Sequence, residues 1–204
     1  MAMDFAGLFA ASRREQLRLL ENFASRQIGE LETLAGWCAE TLRSGGKLLL
    51  FGNGGSAAQA QHLAAEFVNR FEQPRAALAA VALTTDGSVL TSIGNDNCFE
   101  QIFARQIEAL GRPGDLALAF STSGASPNLV HGLRAGRNRR LRTAAMLGRD
   151  GGAARHEVDL ALVIRGTETA RIQEVQMFAG HLICQWVDRL LAPATDERSI
   201  SAES

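Results

Sequence analysis

His62 and Glu66 stand four residues apart, and Gln173 and His181 stand eight apart. On a helix, each spacing turns its two side chains towards nearly one face. An imidazole and a carboxylate placed this way can ligate one metal ion or move a proton. They can equally be an exposed pair of no consequence, and on spacing alone that is the commoner outcome. His181 is flanked by Gly180, Leu182 and Ile183, so a hydrogen-bonded core histidine is open as well. His131 and His156 lie in polar, Arg-rich surroundings that suit a surface.

Two further stretches are built for close backbone approach. In Gly52-Asn53-Gly54-Gly55-Ser56 the glycines let the chain turn sharply and bring its main chain near a ligand. Ser56 is expected to cap the following helix, whose exposed amides favour an anion. A plain tight turn fits the same spacing. Ser121-Thr122-Ser123-Gly124-Ala125-Ser126 gathers hydroxyls and free amides just ahead of Pro127, a residue suited to the first helical position. That is more hydroxyl than one cap needs. It points to a phosphate held by neutral donors and a helix dipole. The Gly-Lys-Ser/Thr signature of a P-loop is absent. The arginines at 134, 137, 139, 140 and 142 have no interleaved aromatics and read as a solvated helix end.

Elements of defined type must carry these residues. Short apolar runs at 47–51, 78–83, 116–120, 143–147 and 160–164 read as buried parallel strands. Helix-compatible segments lie at 56–71, 97–110, 127–138 and 152–157, and a last amphipathic helix runs from about Thr169 to Leu191. The first 45 residues are helical in period, with Gly29 expected to divide them into two helices. Alternation of strand and helix predicts a doubly wound, three-layer α/β/α fold around a five-stranded parallel sheet. Strand ends are where such sheets bind ligands, and both loops fall at strand ends. The organisation expected is one domain over 1–204: N-terminal helices over 1–45, an α/β core over 46–192 and a polar tail over 193–204.

Composition excludes several classes. The chain has 204 residues, 46% hydrophobic and 21% charged, with 21 basic and 22 acidic residues. Nothing in that balance points to nucleic acid or a membrane surface as partner. No apolar run reaches the roughly 18 residues of a membrane span. Met1-Ala2-Met3-Asp4 lacks the pattern of a secretory signal. Cys38, Cys98 and Cys184 are far apart and form no C-x-x-C pair, which fits a reducing cytoplasm.

Taken in order, Gly52-Asn53-Gly54-Gly55-Ser56, His62 and Glu66, Ser121-Thr122-Ser123-Gly124, Asp150-Gly151-Gly152, and Ala170-Arg171-Ile172-Gln173-Glu174 with His181 resemble the sugar isomerase (SIS) domain. Within it they resemble the phosphoheptose isomerase family, over roughly residues 5–192. The resemblance implies a flavodoxin-like sheet and an aldose–ketose isomerase. Such an enzyme converts sedoheptulose 7-phosphate to D-glycero-D-manno-heptose 7-phosphate, towards the heptose of lipopolysaccharide. It also implies a cytoplasmic homotetramer with active sites at subunit interfaces and one zinc ion per site. By position, His62, Glu66, Gln173 and His181 correspond to the metal ligands, Glu66 to the base and His181 to the acid. Ser56, Ser121, Thr122, Ser123 and Ser126, with Gly54 and Gly55 of the Gly-rich turn, correspond to phosphate and sugar contacts. Asn53, Arg70, Asp96 and Gln173 correspond to further substrate contacts. A non-catalytic branch that binds the replication initiator also shares the fold, and so do phosphosugar-sensing regulators. Glu66, Gln173 and His181 favour the enzyme. Gln176, where both branches often carry histidine, is off the ligand positions and is expected to matter little.

Overall fold

The apolar runs pair into one sheet whose central strands are buried on both faces, while the edge strand Ala80–Ala82 leaves Val81 exposed. The computed structural model describes residues 4–192, so the expected polar tail over 193–204 lies outside the described residues. Strands β1 (Leu48–Gly52), β2 (Ala80–Ala82), β3 (Leu116–Ser121), β4 (Arg142–Gly148) and β5 (Leu160–Ile164) are all parallel, in the order β2-β1-β3-β4-β5. Alternate residues serve opposite layers, as the strand period of two requires. Leu48 and Leu50 face one core with Leu116 and Leu118, while Leu49 and Phe51 face the other with Ala117 and Ala119.

Helices α1 (Phe5–Arg43), α2 (Gly55–Val68) and α6 (Thr169–Leu191) cover the first face. Helices α4 (Ala104–Leu110) and α5 (Pro127–Asn138) cover the second. The three-layer α/β/α expectation therefore holds. The sheet reverses its winding between β1 and β3, so a crevice opens at their carboxyl ends. The Gly-rich turn leaves β1 there and the serine loop leaves β3.

Several elements differ from the sequence expectation. Gly29 does not divide the N-terminal stretch, and α1 runs unbroken from Phe5 to Arg43. An exposed glycine costs a helix only about 1 kcal/mol relative to alanine. The buried stripe Leu19, Phe23, Leu31, Leu34 and Cys38, packed on α6 and β5, outweighs that. Helix α3 (Gly87–Asp96) is new. No residue of it is fully buried, and its apolar face is short: Val89, Leu90 and Ile93, of which Leu90 and Ile93 pack partly buried against the second core. Its start is marked by Asp86, whose carboxylate accepts the Val89 N–H at 3.0 Å. Segment 97–110 is a 3-10 turn (Phe99–Gln101) followed by α4, and 152–157 is a single 3-10 turn, Ala153–His156.

Candidate active site

At the β1 end, steric closeness explains the glycines. A Cβ on Gly52 would come within 2.7 Å of the Phe120 carbonyl oxygen, and Gly54 has φ +56°. The turn places Gly54, not Ser56, at the N-cap of α2. Ser56 lies inside the first helical turn, buried, with its N–H donated to the Asn53 carbonyl at 3.0 Å. The expected Ser56 cap is therefore corrected: the positive φ at Gly54 starts the helix earlier. The Asn53 and Asn128 amides exchange two hydrogen bonds of 2.8 Å each, which joins this turn to the start of α5.

At the β3 end, the Ser121 hydroxyl accepts the Ser123 and Gly124 amides at 3.3 and 2.9 Å, and the Ser123 hydroxyl accepts the Ala125 amide at 3.3 Å. Ser126 is the N-cap of α5 but its side chain caps nothing. Its hydroxyl, and the Thr122 N–H, have no acceptor among the described residues. Glycines brace the loop from behind. Gly124 has φ +63°, a Cβ on Gly152 would meet the Ser123 carbonyl at 2.6 Å, and the Ala154 N–H is donated to the Gly124 carbonyl at 2.9 Å. The Asp150-Gly151-Gly152 turn is thus a support for this loop. No Lys or Arg belongs to the loop itself.

The acid–base cluster is made by a helix crossing. Gly180 of α6 packs on Leu63 of α2, where a Cβ would come within 2.7 Å of a Leu63 methyl. This close approach sets His181 Nε2 2.9 Å from His62 Nε2, and Glu66 Oε1 stands 3.6 Å from the same His62 atom. The His181 ring also stacks on Phe71, with centroids 5.5 Å apart. Burial, and then the neighbouring His62, push the His181 imidazole below its usual range, against an opposing pull from Glu66. An N–H···N bond between two imidazoles suits that, since one ring donates and the other accepts. The cluster is open to solvent: the His62 side chain is 45% exposed and that of Glu66 24%. Arg75 holds the end of α2. It donates to the Glu66 and Phe67 carbonyls at 2.8 Å each and to Asp188 of α6 at 2.6 Å.

The remaining expected residues divide. Gln173 reaches the site at its other end. Its side-chain amide lies over Gly55, and its carbonyl accepts from Gln59 at 2.8 Å. Eight residues of helix separate Gln173 from His181, a rise of about 12 Å, so within one chain they serve different ends of the crevice. Arg70 and Asp96 are exposed, and the Asp96 carboxylate accepts only from its neighbour Asn95, at 2.8 Å, among the described residues. Of the arginine cluster, Arg134 pairs with Glu157 at 2.7 Å and Arg142 with Glu40 at 2.5 Å, as a solvated face would.

The metal question turns on donor chemistry. Among the described residues no three His, Cys, Asp or Glu side chains form a ready-made metal site. Two imidazoles and a carboxylate are nonetheless donors that zinc accepts. Ligands about 2.05 Å from a tetrahedral zinc lie about 3.3 Å from one another. The separations here, 2.9 and 3.6 Å, bracket that figure.

Comparison with known proteins bears on this geometry. The SIS domain family model matches residues 13–148. A phosphoheptose isomerase of Aromatoleum aromaticum is 48% identical over 192 residues, 93% of this chain and 95% of that protein. One from Roseiflexus sp. is 54% identical over 152 residues, 74% of this chain and 77% of its own length. The solved phosphoheptose isomerase of Neisseria gonorrhoeae superposes with a TM-score of 0.86 at 38% identity, over 91% of this chain and all of that one. The chain belongs to the phosphoheptose isomerase family of SIS domains. Within this phosphoheptose isomerase frame, sequence reasoning missed four residues around the site: Phe71, Arg75, Asn128 and Gln176. Arg75 and Asn128 act through contacts distant in sequence, which no local pattern encodes. Gln176 was expected to matter little. It is fully buried, and its amide donates to the Ser121 and Met146 carbonyls at 3.2 and 2.7 Å.

Proposed function

We propose that the chain isomerises sedoheptulose 7-phosphate to D-glycero-D-manno-heptose 7-phosphate, an aldose–ketose interconversion that leads to heptose-containing lipopolysaccharide. The observation that carries the reading is the meeting of His62, Glu66 and His181 on α2 and α6, in a member of this family. Helix α2 acts as a ruler between the two functions. Its N-terminal end adjoins the serine loop, and His62 lies seven residues on, a rise of about 10 Å. That suits an extended sugar with phosphate at one end and the reacting carbonyl at the other.

The phosphate belongs with Ser121, Thr122, Ser123 and Ser126, assisted by Ser56 and the Gly54–Gly55 turn. Neutral donors and the α5 dipole hold it there. Asn53, Gln173, Arg70 and Asp96 are assigned to the sugar hydroxyls. Glu66 takes the proton from the first carbon, and the electron pair left behind forms the carbon–carbon double bond of the enediol. His181 gives its proton to the carbonyl oxygen at the second carbon. The proton on Glu66 is then returned at the second carbon while the first hydroxyl gives its proton to His181, so both groups are restored. Without the metal, His62 Nε2 and His181 Nε2 share a hydrogen bond; the same two nitrogens would hold the ion when it binds. Zinc is assigned to His62, Glu66 and His181; Gln173, the fourth donor implied by the resemblance, stands about 12 Å along α6 within one chain and would have to reach the ion from a neighbouring subunit. When bound it supplies positive charge to sugar oxygens that become anionic.

A homotetramer is part of the proposal, with α1 and α6 between subunits and each site completed by a neighbour. Phe5 and Phe9 of α1 are 83% and 64% exposed, and Phe178 of α6 is 51% exposed. No helix among the described residues is long and apolar enough to cross a membrane, which agrees with the cytoplasmic placement we assign. The test is turnover of sedoheptulose 7-phosphate by the purified protein before and after a chelator. Turnover that falls on chelation and returns with zinc is expected. Absence of turnover in the zinc-loaded protein overturns the reaction.

A further inference from the structure

Gln176 is an unusual choice for its place. It has no exposed surface, and its Oε1 finds no donor among the described residues. A buried amide oxygen without a partner is a net cost, which an apolar side chain of the same size would avoid. What the amide provides is its two N–H groups, given to the Ser121 carbonyl at 3.2 Å and the Met146 carbonyl at 2.7 Å. Both acceptors lie at the carboxyl ends of neighbouring strands, beside the crevice.

The Ser121 carbonyl and the Thr122 N–H belong to one planar, trans peptide, so they point in opposite directions. Fixing the carbonyl towards α6 fixes the N–H away from α6. That N–H has no acceptor among the described residues, whereas the Ser123, Gly124 and Ala125 amides are all taken up inside the loop. We propose that Gln176 is a positioning residue for the anion site: by holding the Ser121 carbonyl it aims the Thr122 N–H at the substrate phosphate. Gln173, one turn earlier on α6, lies over the other loop at Gly55. Helix α6 therefore sets the geometry of both loops at the substrate end as well as carrying His181 at the other.

The inference rests on the phosphate reading of the serine loop, and its test separates the two. Gln176→Met keeps length and burial but removes both donors. Gln176→His restores an N–H that can reach one carbonyl. The measurements are the dissociation constant for inorganic phosphate by calorimetry, KM and kcat for the sugar phosphate, and the melting temperature. Misdirecting, without fully losing, one hydrogen bond to an anion weakens phosphate binding about tenfold. Gln176→Met is expected to raise the phosphate dissociation constant and KM together by about that factor with kcat within about threefold, and Gln176→His to recover part of the loss. A folded Gln176→Met protein with wild-type phosphate affinity overturns the inference, as does a loss confined to kcat or to melting temperature. If Gln176→Met does not fold, Gln176→His decides alone, and wild-type affinity in it overturns the inference. Wild-type protein that binds no phosphate removes the anion site and the inference with it. Wild-type protein that binds phosphate but turns over no sugar overturns the reaction only.

Discussion

A carboxylate that removes a proton from carbon needs a free oxygen facing the substrate and a partner that protonates the carbonyl in the same step. In the proposed reaction Glu66 and His181 take these parts from two helices, with His62 between them. Glu66→Gln keeps the volume and the hydrogen-bonding shape but removes the base. We expect turnover to fall about 100-fold or more while phosphosugar binding survives. Near-normal turnover in steady-state kinetics would sink Glu66 as the base. The serine loop makes a complementary demand. Ser126 has a hydroxyl free of any capping duty, and Ser123 spends its oxygen, but not its proton, on Ala125. Ser123→Ala combined with Ser126→Ala should raise KM for the sugar phosphate about 30-fold or more, at about 1 kcal/mol or more lost for each of the two hydroxyl donors. An unchanged KM removes these hydroxyls from the phosphate site.

Helix α1 governs what the elements can do. At 39 residues it spans the first face of the sheet and packs against both β5 and α6, the helix that carries Gln173, Gln176 and His181. A break at Gly29 would decouple its halves, and the structure has none. Nothing lies within 4 Å of a Cβ built on Gly29. Gly29→Ala should therefore stabilise the protein by up to about 1 kcal/mol, through lower unfolded-state entropy and better helix propensity. Thermal denaturation reads this directly, and a lowered melting temperature would mean that Gly29 serves a contact or bend that the unbroken helix does not account for. The α2–α6 crossing is less tolerant. A Cβ on Gly180 would force the Leu63 side chain to shift, and Arg75 fastens the far end of α2 to Asp188.

For the whole molecule, solvent is the issue. An enediol is best protected where water is excluded, yet the His62 side chain is 45% exposed in the single chain. The same chain leaves Phe5, Phe9 and Phe178 uncovered on α1 and α6. A second copy laid on these helices answers both needs, and closed symmetry makes the contact self-complementary. We expect a tetramer in sedimentation at micromolar concentration, with specific activity falling on dilution in step with dissociation. A stable monomer with full activity would defeat the assembly and the shared site together.

Some of this was legible in residues that act locally. Continuous apolar runs such as Leu48–Phe51 specify buried parallel strands, glycines mark turns where a Cβ has no room, and Pro127 marks the start of α5, all through the chemistry of a few adjacent residues. The i,i+4 spacing of His62 and Glu66 placed them on one face but could not separate a reactive pair from an exposed one. Tertiary structure added what spacing could not supply: α6 crosses α2, so that His181 meets His62 from 119 residues away. It likewise decided the Asn53–Asn128 link, the Arg75 fastening and the burial of Gln176, because each depends on which distant backbone or side chain the packing brings within hydrogen-bond reach. Helix α3 lay beyond pattern reading because its apolar face is only Val89, Leu90 and Ile93, too short a period to stand out, and no residue of it is fully buried.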